Sequence, residues 1–273
     1  MRRSTLAWAL LLFLPAARAD QAVGALPFTA TLSNRYYLAS DVTVPAGSMG
    51  FVVGADNVTL DLNGHTITCA GGVDAGTRAV FVLARSHFTL GNGRIRDCDY
   101  GVDTESGPEQ PAHVRIENVQ LAGSHRRGIR LVASDSEIRN SRIEDTNDGA
   151  ATVAGQPAIA IEVSGPRNVI RNNSIVDVKA AAGEGVGIAL SDVGAETLVT
   201  DNLLLNRPEV TLDYGIRVDG ESSPRMTGNT IAGFSAGIAA SPSTRGLIRN
   251  NTVVGADVAY DIDGPWTDGG NNY

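Results

Sequence analysis

A short motif that returns along the chain constrains the fold more than any other feature. It consists of an apolar residue, a polar or basic residue, asparagine, and a second apolar residue three positions later, as in IRNSRIED at 138, IRNNSIVD at 170 and LIRNNTVVG at 247. Repeats at such a period are typical of solenoids, in which each repeat is one structural unit. The aligned anchors follow one another at 22 to 32 residues and are Asn92, Asn118, Asn140, Asn172, Asp201, Gly228 and Asn250, with an earlier copy at Asn63.

A second element recurs between the anchors, namely a small residue followed by alternating apolar positions. Examples are GFVV at 50, GIRL at 128, GIAL at 187 and GIRV at 215. Each repeat therefore holds three short strands, and one repeat alone cannot bury its apolar side. Stacked repeats can, because every strand then pairs in parallel with its copies at about 4.8 Å per rung. The sequence predicts an all-β solenoid of about eight rungs, on the order of 40 Å long.

The anchor asparagines are predicted to lie at the corner between the second and third strands. Asparagine tolerates the left-handed backbone that a tight corner requires. Its side-chain amide can also hydrogen-bond the amide one rung away, as in stacked asparagine ladders. The anchors are therefore interpreted as structural residues.

The repeat, together with the opening LDLNGHTI at 60, resembles the right-handed parallel β-helix family over residues 36 to 263. The resemblance implies a single right-handed parallel β-helix with three strands per rung, capped at both ends. The expected division is a signal peptide at 1–19, an N-terminal cap at 20–48, the β-helix at 49–263 and a closing segment at 264–273. Lyases, hydrolases, epimerases, phage spikes and non-catalytic periplasmic proteins share this fold, so it does not choose an activity.

The first 19 residues have two arginines, an apolar run from Leu6 to Leu14 and then Ala17-Arg18-Ala19. This is the layout of a secretory signal peptide, so we expect a secreted or periplasmic protein. Removal of the leader changes the net charge from −8 to about −11. That charge argues against a nucleic-acid partner. No later segment is apolar for long enough to span a membrane, and a monomer is expected.

Cys69 and Cys98 lie at nearly the same corner of adjacent rungs. Neighbouring rungs bring α-carbons within bonding range, so the two cysteines are expected to form a disulfide. An oxidising compartment is consistent with this pairing.

In enzymes of the family that the chain resembles, the substrate groove usually runs along the outer face of the first strand. The long connections 68–78, 144–157, 176–186 and 205–214 precede that strand here, as expected for a binding face. Asp103 and Arg130 are expected to pair. Arg217, flanked by Ala189 and Ala239, is a candidate for holding the carboxylate of a uronic acid, with Asp219 as its alternative partner. The candidate catalytic residues are Tyr100, Asp103, Arg130, Tyr214, Arg217 and Asp219, and the candidate substrate-binding residues are Arg127, Glu162 and Lys179.

Two metal hypotheses remain weaker than this one. His87, His113 and Asp135 occupy one column, but three groups in a straight row give poor tetrahedral geometry, so a surface ladder is favoured over a metal site. Calcium is open as a cofactor, because Asp97, Asp99 and Asp103 cluster in RDCDYGVD and carboxylates suit that ion. No other cofactor is expected.

Two functions follow from these observations. The first is an exported β-helix protein that binds or processes a polysaccharide along the first-strand face, with acidic polymers and lyase or epimerase chemistry as the specific version. The second is a non-catalytic periplasmic or surface module, such as a maturation factor, an adhesin or a structural protein. Whether the protein is an enzyme stays open at this point.

Overall fold

The computed structural model describes residues 19–105, 110–147, 156–180, 183–207 and 212–273. The expected signal peptide, apart from Ala19, lies outside the described residues, as do parts of three of the long connections. The described ranges consist of strands, turns and irregular segments without a helix. Accordingly, no helix in these ranges is long and apolar enough to cross a membrane.

Within the described ranges, the alternating segments of the sequence form 28 short strands. In chain order they are β1 Gln21–Val23, β2 Phe28–Ala30, β3 Arg35–Leu38, β4 Val42–Val44, β5 Met49–Val53, β6 Val58–Asp61, β7 Thr66–Cys69, β8 Arg78–Leu83, β9 Phe88–Arg96, β10 Tyr100–Glu105, β11 Arg115–Ala122, β12 Arg127–Val132, β13 Glu137–Arg139, β14 Arg142–Asn147, β15 Ala158–Ser164, β16 Val169–Arg171, β17 Ser174–Lys179, β18 Gly185–Ser191, β19 Leu198–Thr200, β20 Leu203–Leu205, β21 Asp213–Asp219, β22 Arg225–Thr227, β23 Thr230–Ala232, β24 Ala236–Ala240, β25 Gly246–Arg249, β26 Thr252–Val254, β27 Val258–Ile262 and β28 Trp266–Asp268.

These strands stack into the three faces of a coil, and every strand pairing in the described residues is parallel. The first face holds ten strands in the order β2-β5-β8-β10-β12-β15-β18-β21-β24-β27. The second face runs from β1 through β3 and β6 to β28, and the third from β4 through β7 to β26. β9 and β11 are long enough to contribute to both. This is the predicted all-β solenoid.

The first face holds two more strands than the predicted eight rungs. The prediction counted copies of the asparagine motif, and β2 and β27 lie before the first copy and after the last one. Parallel pairing also occurs in the segments expected to cap the helix, with β1 to β4 inside 20–48 and β28 inside 264–273. The division into caps and helix stays a prediction.

The interior is filled by apolar side chains that repeat in register. Ile143 is paired with Ile175, which is paired with Leu204, and all three side chains are fully buried. The predicted sharing of one interior by successive repeats is confirmed. Complete burial of such a side chain contributes about 1.5–3 kcal/mol, so each rung is stabilised mainly by its neighbours.

The anchor residues lie at corners with left-handed backbone, as predicted. Their φ angles range from 50° at Asn140 to 69° at Gly228. The longest series of amide-to-amide hydrogen bonds, however, runs along the residues that follow the later anchors, from Asn172 onward; among the anchors, Asn250 Oδ1 accepts the side-chain amide of Asn271 at 3.2 Å. Asn173, Asn202, Asn229, Asn251 and Asn272 are linked in this order from Nδ2 to Oδ1 at 3.0–3.2 Å. The anchors therefore turn the chain, while the next residue links the rungs.

Cys69 and Cys98 form a disulfide with an Sγ–Sγ distance of 2.03 Å. Cys69 ends β7 and Cys98 follows β9, so the bond joins successive rungs on the third face. The connection between Cys69 and β8 runs over residues 70–77. One end of this connection is thus covalently fixed next to the residues that precede β10.

Candidate ligand-binding face

The parallel register brings the candidate side chains into two rows on the outer side of the first face. Because neighbouring strands are in register, equivalent positions touch from one rung to the next. The first row runs through Arg78, Tyr100 and Arg127, and the second through Phe81, Asp103, Arg130, Glu162, Ala189, Arg217 and Ala239.

Asp103 is a buried carboxylate in the middle of this face. The residue is 1% exposed, and the Nε atom of Arg78 donates to its Oδ2 atom at 2.7 Å. Arg130 Nη1 lies 3.3 Å from Oδ1, which confirms the expected ion pair. Oδ1 nevertheless has no hydrogen-bond partner. Burial raises the pKa of the Asp103 carboxyl above its ordinary value, and the hydrogen bond from Arg78 and the charge of Arg130 oppose this only in part.

Tyr100 stands beside this carboxylate and is held by arginines. The Arg78 guanidinium lies 4.8 Å from the centre of the Tyr100 ring and 5.4 Å from that of Phe81, which are cation–π distances. Burial lowers the pKa of the Arg126 guanidinium. Its hydrogen bond and charge interaction with Tyr100, together with the charges of Asp74 and Asp99, outweigh this effect and raise the pKa overall. The ring and the hydroxyl of Tyr100 are both fixed on a partly exposed surface.

Arg127 and Arg130 differ in how many of their guanidinium N–H groups already have partners within the protein. Arg127 donates from Nε to Glu162 Oε2 at 2.6 Å and from Nη1 to the carbonyl of Pro157 at 2.5 Å. These two candidate binding residues thus satisfy each other. Arg130 is 34% exposed at its side chain. Its one ion-pair partner in the described part of the chain is Asp103, so Arg130 is the more available cation.

Arg217 is flanked by Ala189 and Ala239, as predicted, but its guanidinium has two acidic partners. Glu184, from the segment before β18, hydrogen-bonds Nη1, and Asp219 Oδ2 lies 2.9 Å from Nε. The alternative in which Asp219 pairs with Arg217 is confirmed, and Glu184, a loop residue with no place in the repeat, is a second partner. Uronate binding at Arg217 stays a prediction.

The surface around Arg217 is acidic overall. A groove of about 200 Å³ has Tyr214, Arg217, Asp219, Asp261 and Asp263 among its lining residues. The Arg217 guanidinium lies 5.7 Å from the centre of the Tyr214 ring. Burial raises the pKa of Tyr214, and the charge of Glu184 adds to this. This end of the face repels anionic ligands.

Lys179 lies away from both rows, at the end of β17 on the third face. It lines a corner groove of about 400 Å³ together with Asp97, His125, Asp145 and Asp177. No motif in the sequence points to His125. The strand register could have indicated it, because pairing of Tyr100 with Arg127 places His125 at the same level as Cys98, next to Asp99.

The three aspartates considered for calcium bind different partners. Asp97 pairs with Arg96 at 3.1 Å, Asp103 accepts from Arg78, and Asp99 accepts backbone N–H groups of residues 74–77. The calcium hypothesis is not supported, because these carboxylates do not converge. More generally, the described ranges contain no group of three or more His, Cys, Asp and Glu side chains that could hold a metal ion.

The histidine column forms a surface ladder. The rings of His87 and His113 have their centres 4.7 Å apart. Asp135, next in the column, accepts two hydrogen bonds from Arg167 at 2.5 and 2.7 Å. This pairing lowers the pKa of the Asp135 carboxyl to about 2. Arg167 thus occupies the carboxylate that a metal would need.

Comparison with known proteins agrees with the architecture. A family model described as the right handed beta helix region matches residues 50–204 and 109–272. The chain belongs to the right-handed β-helix family. A search of curated proteins found no match to this β-helix.

Several solved structures share the fold at low identity. An alginate lyase from Paenibacillus sp. str. FPU-7 is 15% identical, with a TM-score of 0.53. The match covers 88% of this chain and 92% of the lyase chain. A GH136 lacto-N-biosidase from Eubacterium ramulus is 12% identical, with a TM-score of 0.58 and 93% of this chain covered, which spans 60% of the biosidase chain. PfbA, a surface adhesin of Streptococcus pneumoniae, is 12% identical, with a TM-score of 0.50 and coverages of 92% and 84%. Identities this low show the fold alone.

Proposed function

We propose that this protein binds a polysaccharide along its first face, centred on β8, β10 and β12. The observation that carries the proposal is the partly exposed Arg130 side chain beside the buried Asp103 carboxylate, with Tyr100 in the adjoining row. A polar floor flanked by an aromatic ring is typical of sugar sites. By their names, the alginate lyase and the lacto-N-biosidase of similar fold act on carbohydrates, which supports this ligand class.

The specific version is an acidic polymer processed by proton transfer. Arg130 would hold the uronate carboxylate through two parallel N–H groups. Asp103, whose pKa is raised by burial, would take the proton from the carbon next to that carboxylate. In a lyase, the freed electron pair forms a carbon–carbon double bond, the glycosidic C–O bond breaks, and Tyr100 protonates the leaving oxygen. In an epimerase, Tyr100 would instead return a proton to the opposite side of the same carbon.

Calorimetric titration tests the binding step. The ligands are alginate, pectin and glycosaminoglycans, with neutral glucans for comparison, and the variants are Arg130→Ala and, as a control, Arg142→Ala. Arg142 is also ion-paired, its side chain is 50% exposed against 34% for Arg130, and it lies on the third face. Loss of a charged hydrogen bond, worth about 1.5–3 kcal/mol, predicts roughly a tenfold or greater loss of affinity for Arg130→Ala. No binding by the wild type, or equal losses in both variants, would contradict the proposal.

Absorbance of unsaturated products tests the lyase version. We expect product from at least one uronate polymer, and loss of turnover in Asp103→Asn and Tyr100→Phe while binding is retained. Binding without product, together with unchanged sugar stereochemistry, would favour the non-catalytic module instead.

Export is part of the same proposal. It is supported by the Cys69–Cys98 disulfide, since such bonds persist in oxidising compartments. N-terminal sequencing of the exported protein is expected to begin at Asp20. A cytoplasmic protein that retains residues 1–19 would contradict it.

A further inference from the structure

His125 and Asp99 form a hydrogen-bonded pair at the corner that precedes β10 and β12. His125 Nδ1 lies 3.2 Å from Asp99 Oδ1. Asp99 is 1% exposed, whereas the His125 side chain is 22% exposed and borders the corner groove. A buried carboxylate thus holds, through Nδ1, an imidazole that borders the corner groove.

The surrounding chain keeps Asp99 ionised. Its carboxylate accepts the backbone N–H groups of Asp74 at 3.2 Å, Thr77 at 3.1 Å and Gly76. Burial alone would raise the pKa of Asp99, but the hydrogen bonds from His125, Gly76 and Thr77, with the charge of His125, lower it. All three backbone donors belong to the 70–77 connection, and Cys98, next to Asp99, is disulfide-bonded to Cys69 at the start of that connection. Asp99 is therefore a rigid acceptor.

The ionised carboxylate decides which tautomer His125 adopts. An ionised carboxylate can only accept, so Nδ1 of His125 must carry the hydrogen. In the neutral imidazole this leaves Nε2 with a lone pair and no proton. Nε2 is then a fixed hydrogen-bond acceptor at the groove.

The other walls of the groove also offer mostly acceptors. Asp97, Asp145 and Asp177 line it from successive corners, each with left-handed backbone, and the cation Lys179 lines it as well. Asp177 accepts two hydrogen bonds from Arg207. A ligand that fits these walls must donate hydrogen bonds. Because Asp97 is ion-paired with Arg96 and Asp177 with Arg207, and Lys179 lines the same groove, the walls do not attract an ionic ligand strongly. Sugar hydroxyl groups donate hydrogen bonds and carry no charge.

The geometry points to a second ligand site, in which an uncharged saccharide donates a hydroxyl hydrogen bond to His125 Nε2 in the groove lined by Asp97, Asp145 and Asp177. Asp99 acts as a positioning residue that fixes the imidazole. The site differs from the first-face site in place and in ligand class. It does not depend on whether Arg130 binds uronate.

Nitrogen-15 NMR of the four histidine side chains tests the proposal in the intact protein. The wild type is expected to show His125 with its hydrogen on Nδ1. The probes are cellohexaose, xylohexaose and laminarihexaose as neutral sugars, chitosan hexamer as the cationic arm and hexameric alginate as the anionic arm. At least one neutral sugar is expected to shift the His125 Nε2 signal, and alginate is not.

Four variants complete the test. His125→Gln leaves the backbone donors to Asp99 in place, and it is expected to weaken neutral-sugar binding by roughly tenfold, the loss of one good hydrogen bond. Asp99→Asn is expected to weaken binding and to allow the other tautomer, whereas His113→Gln serves as the matched surface control without effect. Arg130→Ala is expected to leave the His125 response unchanged, which separates this site from the first face.

Three results would overturn the inference. They are a His125 response to alginate or chitosan only, no response to any sugar, and neutral-sugar affinity that is equal in the wild type and His125→Gln. If Asp99→Asn fails to fold, the comparison of His125→Gln with His113→Gln still decides the question.

Discussion

Replacing Asn202 by alanine is expected to break the asparagine ladder at its centre. Asn202 Nδ2 donates to Asn229 Oδ1 at 3.0 Å, to the carbonyl of Ile170 at 2.9 Å and to that of Thr200 at 3.1 Å. Its Oδ1 accepts the backbone N–H and the side-chain amide of Asn173, both at 3.1 Å. All of these groups except Thr200 belong to buried residues.

The cost follows from which groups are left without partners. The Asn173 backbone N–H loses its acceptor, a buried orphan that costs about 1–3 kcal/mol, and the loss of the Nδ2 hydrogen bonds to the two carbonyls adds about 1 kcal/mol. Asn202→Ala should therefore lower the free energy of unfolding by roughly 2–4 kcal/mol. The measurement is urea unfolding followed by circular dichroism, with the slope against urea concentration compared between variants.

Asn172→Gly is the matched control at the neighbouring anchor. Asn172 is exposed with a φ of 54°, a conformation that glycine adopts without strain. We expect a change within about 0.5 kcal/mol. A loss below about 1 kcal/mol for Asn202→Ala, or one no larger than that of Asn172→Gly, would refute the inference that the asparagines following the anchors link the rungs.

Three further perturbations test other parts of the structure. Ile175→Ala empties a fully buried site and should lower the free energy of unfolding by about 2–5 kcal/mol in the same urea assay. The pKa of Asp135 is about 2 in the folded protein, below the ordinary value of about 3.9. Its stabilisation is therefore present above about pH 4 and lost as pH falls toward 2. Asp135→Asn should flatten the acid limb of a stability–pH curve, and an unchanged curve would contradict the pairing with Arg167. Replacing Cys69 and Cys98 by alanine opens a loop with a sequence separation of 29 and should cost roughly 3–4 kcal/mol, so an unchanged thermal midpoint would contradict the contribution of this crosslink.

The fold was readable from the sequence because its periodicity is carried by residue types with few alternatives. Buried Ile and Leu recur in register, and corners accept Asn, Asp or Gly because these residues tolerate left-handed backbone. The side-chain amides of Asn173, Asn202 and Asn229, which link the rungs, lie one residue after the anchors. The first column contains Asp201 and Gly228, which cannot donate an amide hydrogen, whereas the second column holds Asn173, Asn202 and Asn229.

The candidate site was only partly readable. Pairing of Asp103 with Arg130 follows from strand register, which the repeat specifies. Glu184 reaches Arg217 from a connection whose length varies between repeats, so its position could not be derived from the period. His125 lies level with Cys98 at a corner outside the strands, so the strand periodicity alone gives no prediction for it.

Because the rungs stack in register, the length of the molecule can change without altering the individual rungs. Each strand of the first face pairs with the strand before it and the strand after it, so duplicating one complete turn would add a layer without repositioning the others. A binding surface along that face would then gain one further subsite. Duplication of a gene segment could in this way change the number of sugar units that the face binds, while the chemistry of the existing positions stays as it was.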